Sequence, residues 1–142
     1  MQRGIVFKNP KSENRSTKQI RRTKMENSKQ YDLEDRTLEF ARRVRALVKK
    51  LSRTIGNIED GKQVVRSSGS VGANYIEANE SLSKKDFIMR IKICRKEAKE
   101  SRYWLRLIDI SGNGEHEEER KALIQEASEL MNIFGSILRK SE

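Results

Sequence analysis

Two rows of cations at helical spacing are the residues in this sequence best suited to chemistry. Arg42, Arg43, Lys49, Lys50 and Arg53 recur on one side of a stretch whose other side is apolar. Lys92, Arg95, Lys99, Arg102 and Arg106 recur every three or four residues farther along the chain. Guanidinium and ammonium groups in such rows neutralise phosphates and release the counterions condensed on a nucleic acid. The same rows also suit a solvated helix face, so nucleic-acid contact and plain solvation both stand as readings of them.

The remaining reactive side chains do not assemble into a catalytic set. A single His116 lies in an acidic run (Glu115, Glu117, Glu118, Glu119) and reads as a surface residue. With one His and one Cys, no metal constellation or disulfide scaffold is expected. Cys94 falls on an apolar seam and reads as a small core residue. Asn74 and Glu77 share a helix face, but no nucleophile or second carboxylate accompanies them, so a structural hydrogen-bond network is the preferred reading. Tyr103 and Trp104 have rings that stack on bases in other settings; Trp104 belongs to an apolar row, which favours packing. The small-residue run Ser67-Ser68-Gly69-Ser70-Val71-Gly72-Ala73 resembles a phosphate cradle only superficially, because no strand precedes it and no Gly-Lys-Ser/Thr ending follows. Close helix packing explains it better. No enzyme, cofactor or metal is therefore expected.

The elements that carry these residues are helices. The stretch from Ser83 to Asp109 has an apolar seam, Phe87, Ile91, Cys94, Ala98, Ser101, Leu105 and Ile108, alternating four and three residues. A second row, Met89, Ile93, Trp104 and Leu107, lies roughly 140° around the same helix at about 100° per residue. Two apolar faces need two partners, which predicts a bundle core on one side and a subunit interface on the other. Ser83 followed by Asp86 predicts a capping-box start. A first helix is predicted from near Asp32 or Leu33 to Ile58, with Leu38, Ala41, Val44, Val48, Leu51 and Ile55 as its stripe, Phe40 and Leu47 beside it, and Gly56-Asn57 as its stop. A second helix is predicted from Gly61, with Asp60 as N-cap, to about Glu80. A fourth is predicted from Glu115 to about Lys140, on a seam of Leu123, Ala127, Leu130, Phe134 and Ile137. Four amphipathic helices with short connections predict an all-α, up-down-up-down antiparallel four-helix bundle over residues 31–140.

Charge is unevenly placed. The chain of 142 residues carries a formal +10, of which residues 1–30, with nine Lys/Arg and two Glu, supply +7. Residues 1–30 are polar and lack apolar periodicity, and they read as a disordered basic tail. Two readings stand for this arm: a phosphate-holding tail, or a segment upstream of a start at Met25. No apolar run approaches the length of a membrane span, and no signal-peptide core is present, so a cytoplasmic protein is expected.

The end of the second predicted helix, Ser70-Val71-Gly72-Ala73-Asn74-Tyr75-Ile76-Glu77-Ala78, together with Ser83-Lys84-Lys85-Asp86-Phe87, Ala98-Lys99-Glu100-Ser101 and Trp104-Leu105, resembles a known family. It is similar to the four helix bundle proteins related to those encoded in intervening sequences of bacterial 23S ribosomal RNA genes, over about Tyr31 to Leu138. Ala78 stands where that pattern usually has Gly. The resemblance implies an antiparallel bundle that assembles as a homopentamer. It also implies kinship with the accessory protein of diversity-generating retroelements, which binds a reverse transcriptase and nucleic acid. It supplies no catalytic residues.

The expectation is a non-enzymatic, cyclic homo-oligomer with RNA or DNA, and a reverse transcriptase, as possible partners. Acidic residues on the other flank of the third helix (Asp86, Glu97, Glu100) favour head-to-tail contacts that close into rings. The alternative is a protein–protein adaptor or structural oligomer whose basic faces are merely solvated.

Overall fold

Four helices account for the described residues of the computed structural model, which are residues 17–142, with side-chain surroundings from Leu33 onward; residues 1–16 of the expected arm lie outside them. The elements are α1 (Thr17–Lys49), α2 (Ile55–Asn79), α3 (Lys84–Leu107) and α4 (Gly114–Ser141), with no strand among the described residues. The backbones of α1 and α3 each adjoin both α2 and α4, and α1 and α3 lie diagonally across the bundle from each other. The result is an all-α four-helix bundle.

α3 forms as its sequence directs. Ser83 Oγ accepts from the Asp86 backbone N–H at 3.1 Å, and the Phe87–Ile108 seam is buried throughout. Facing seams supply the rest of the core: Phe40, Val44 and Leu47 from α1, Val64, Val71 and Tyr75 from α2, and Leu123, Leu130 and Phe134 from α4. On α4 the seam steps from Phe134 to Leu138 rather than to Ile137, which is half-buried. The α3–α4 turn carries Ser111 and Gly112 at positive φ, 58° and 74°.

The first connection differs from the expectation. α1 starts earlier, at Thr17, and ends at Lys49, so Leu51 and Ile55 do not extend its stripe. Gly56-Asn57 is not a stop; it lies in the first turn of α2, which is capped by Thr54 rather than Asp60. Thr54 Oγ1 accepts from Asn57 N–H at 3.1 Å, and starting there lets Asn57 reach the bundle end. Ile55 is left 84% exposed. Leu38 is also largely exposed, because Leu33, Thr37, Phe40 and Ala41 take the core side of α1.

Small residues do bring helices together. A Cβ on Gly72 would meet Thr37 Oγ1 of α1 at 2.9 Å, and one on Gly61 would meet Val48 at 3.1 Å. Ser67 on α2 and Ser101 on α3 share a buried hydrogen bond of 2.8 Å.

Candidate nucleic-acid interface

The basic row of α3 lies along its α4 side. Arg102 Nη1 donates to Ser128 Oγ at 3.0 Å, and Lys92 Nζ stands 4.0 Å from the Glu142 carboxylate. Lys92, Arg95, Lys96 and Lys99 line one wall of a groove of about 500 Å³; Arg139 and Glu142 lie across it, with Met131, Gly135 and Leu138 as its floor. Arg95 Nε and Arg139 Nη1 converge over Gly135, lying 3.9 Å and 3.5 Å from where its Cβ would be. Neither guanidinium has an ion-pair partner among the described residues.

Glu142 is the one carboxylate lining the groove, which stays net positive because other acids of α3 and α4 pair on other flanks. On α3, Glu97 and Glu100 both take Arg66 of α2, at 3.4 Å for Glu97. On α4, Glu126 and Glu129 take Arg36 of α1 at 2.7 and 2.6 Å, and Glu119 takes Arg43 at 3.1 Å. These pairs leave their mark on titration. The Glu126 hydrogen bond drives the Arg36 guanidinium further up, and Glu119 does the same to Arg43. Burial raises the Glu100 carboxyl, but hydrogen bonds from Trp104 and Arg66 outweigh it and hold the group below the usual carboxylate value.

The α1 row divides. Arg43 is engaged by Glu119. Arg42, Lys49, Lys50 and Arg53 are exposed without an ion pair among the described residues. Lys50 stands on the α4 side beside His116 and Glu119, while Lys49 and Arg53 stand on the α2 side beside Lys62. Because α1 and α3 are diagonal rather than adjacent in the bundle, their two rows do not merge into one patch across neighbouring helices.

The second apolar row of α3 is partly open. Met89 is 54% and Leu107 49% exposed; Ile93 and Trp104 are half-buried. Trp104 packs against the core and its Nε1 donates to Glu100 at 3.1 Å, so the glutamate that interrupts this row has a structural partner in it. Tyr103 stands edge-on to Trp104, ring centres 5.0 Å apart.

Asn74 and Glu77 do not combine into a site. Asn74 donates to Ser70 O at 2.8 Å and accepts from Arg90 Nη1 at 2.9 Å, whereas Glu77 is exposed. Cys94 is buried, and desolvation pushes its thiol up to about 12. No group of three or more His, Cys, Asp or Glu among the described residues is placed to hold a metal. No described helix is long and apolar enough to cross a membrane. Arg139, Lys96 and Gly135 were not singled out as site residues by their sequence context. Nothing local to Arg139 or Gly135 says that Arg95 lies opposite.

Comparison with known proteins agrees with the helical pattern. The 23S rRNA-intervening sequence protein family matches residues 29–136, most of the chain. The chain belongs to that family. A crystal structure of a Bacteroides thetaiotaomicron protein of unknown function from the S23 ribosomal protein family is 32% identical, with a TM-score of 0.66. The match covers 78% of this chain and 98% of that one. No curated protein gives a significant match. In this 23S rRNA-intervening sequence family member, the basic α3/α4 groove gathers five cations against one carboxylate, Glu142.

Proposed function

We propose that this protein is a non-enzymatic helical bundle that binds RNA or DNA through the α3/α4 groove and works as a cyclic homo-oligomer. The observation that carries the reading is the convergence of Arg95 and Arg139 over Gly135 with no carboxylate between them, continued by Lys99 and Arg106. Cations assembled without internal partners are stabilised by an external polyanion. The family's link to 23S rRNA makes RNA the first ligand to try. An accessory role beside a nucleic-acid enzyme, such as a reverse transcriptase in the cytoplasm, fits a basic body without catalytic groups.

The pairings support the antiparallel run of the helices. Arg36 meets Glu126 and Glu129 while Arg43 meets the earlier Glu119, and Ser67 meets Ser101 while Asn74 meets the earlier Arg90. The exposed Met89 and Leu107, on the solvent-facing side of α3, support a subunit contact. The same exposed apolar pair favours the second reading, a protein–protein adaptor whose basic groove is only solvated.

The test is binding of fluorescently labelled RNA and DNA to the protein at low salt, repeated as salt rises. Affinity that falls steeply with salt is expected. Absence of binding to either nucleic acid at low salt would sink this reading and favour the adaptor.

A further inference from the structure

Resting on the nucleic-acid reading, we infer that the α3/α4 groove takes a double-helical segment by its phosphate backbone, without reading or stacking bases. The first observation is the layout of charge. Lys92, Arg95, Lys99 and Arg106 form a row that spans roughly 21 Å at about 1.5 Å rise per residue, and Arg139 joins it from α4. A rigid row of that length suits phosphates whose spacing is already fixed by a duplex.

The second observation is what the groove lacks. Its floor is Met131, Gly135 and Leu138, which present neither donors nor acceptors from their side chains to a base edge. Sequence-tolerant single-strand binders gain about 1–3 kcal/mol per base from aromatic platforms. Here Phe40, Tyr75, Phe87 and Phe134 are buried in the core. Trp104 is half-buried and tied to Glu100, and Tyr103 leans edge-on against it. None of the described aromatic rings lines the groove. Without stacking, a flexible strand must be ordered with only phosphate contacts to offset the lost entropy, whereas a duplex arrives ordered.

The third observation is the shape of the cationic centre. Arg95 and Arg139 approach one point above Gly135 from two helices. Planar guanidinium forks match phosphate oxygens in pairs, so this point is where one phosphate seats most firmly.

The experiment compares a hairpin duplex with an unstructured single strand of equal length, by fluorescence anisotropy over a salt series, using the full chain. An RNA and a DNA hairpin separate A-form from B-form preference. The duplex is expected to bind at least about tenfold more tightly than the single strand. Its log affinity should fall with log salt at a slope near −4, for about four neutralised phosphates. The double variant Arg95→Gln/Arg139→Gln, with helicity checked by circular dichroism, should reduce that slope by about 1, for the one phosphate the two guanidiniums share. Equal or tighter binding of the single strand overturns this inference while leaving nucleic-acid binding intact. An unchanged slope in the double variant also overturns it, because the phosphates then lie elsewhere. Failure of every ligand at low salt removes the underlying reading as well.

Discussion

The glycines of α2 show how one residue type takes opposite signs in one helix. Gly72 lies where a Cβ would come within 2.9 Å of Thr37 Oγ1, and that hydroxyl is already held by Glu34 O at 2.9 Å. Gly56 has nothing within 4 Å. Replacing glycine with alanine in a helix gains up to about 1 kcal/mol of propensity. At Gly56 that gain stands alone, and Gly56→Ala should stabilise the fold by about 0.5 to 1 kcal/mol. At Gly72 overpacking against a buried, hydrogen-bonded threonine outweighs it, and Gly72→Ala should destabilise by about 1 to 2 kcal/mol. Urea unfolding of the two variants checks both signs. A stabilised Gly72→Ala would mean that α1 and α2 yield freely at this contact.

At the scale of the element, Asn57 joins two connections that are distant in sequence. Its side-chain amide donates to Ser52 O and to Asp109 O, both at 3.0 Å, and its oxygen accepts from Asp109 N–H at 2.8 Å. The residue is 5% exposed. It therefore pins the α1–α2 turn to the end of α3. Asn57→Ala leaves these backbone groups without that partner and should cost about 2 to 4 kcal/mol. Asn57→Asp should be no better, because a carboxylate faces two carbonyl oxygens where the amide donated. Denaturant melts of both variants measure the loss; a cost under about 1 kcal/mol for alanine would show that water takes over the bonds. The Gly56-Asn57 pair reads as a helix stop because glycine and asparagine share that local signature. Long-range bonds to Asp109 are invisible to local pattern, so that pattern misplaces the start of α2 while it shows the cap of α3, a wholly local motif.

Across the whole molecule, ion pairs sort the charge. Arg36 and Arg43 hold the α4 carboxylates on the α1 side, and Arg66 holds the α3 carboxylates on the α2 side. A body with a formal charge of only +3 over residues 31–142 thereby keeps a strongly positive groove. Met89 and Leu107, of the second apolar row, are exposed on the solvent side of α3 beside its cations, and the expected subunit contact is tested there by mass rather than by nucleic-acid binding. Trp104 serves the core, so the variant of choice is Met89→Glu/Leu107→Glu, which alters the two most open members of that row. Light scattering should give the parent protein a multiple of the chain mass and the variant a single chain, with helicity retained. A variant of unaltered mass would place the assembly contact on another face.

The sequence by itself determined that there are four amphipathic helices, which seam of α3 enters the core, and how α3 is capped. These are periodic or local properties, and each helix carries them independently of its neighbours. Both cation rows were legible for the same reason. Only the tertiary structure decided which cations keep their charge unpaired. Arg43 and Glu119 are 76 residues apart, and Arg95 meets Arg139 over Gly135 only because α3 lies against α4. Electrostatic pairing falls off over a few ångströms, so it is fixed by which helices adjoin, and that is a property of the packed bundle rather than of any one helix.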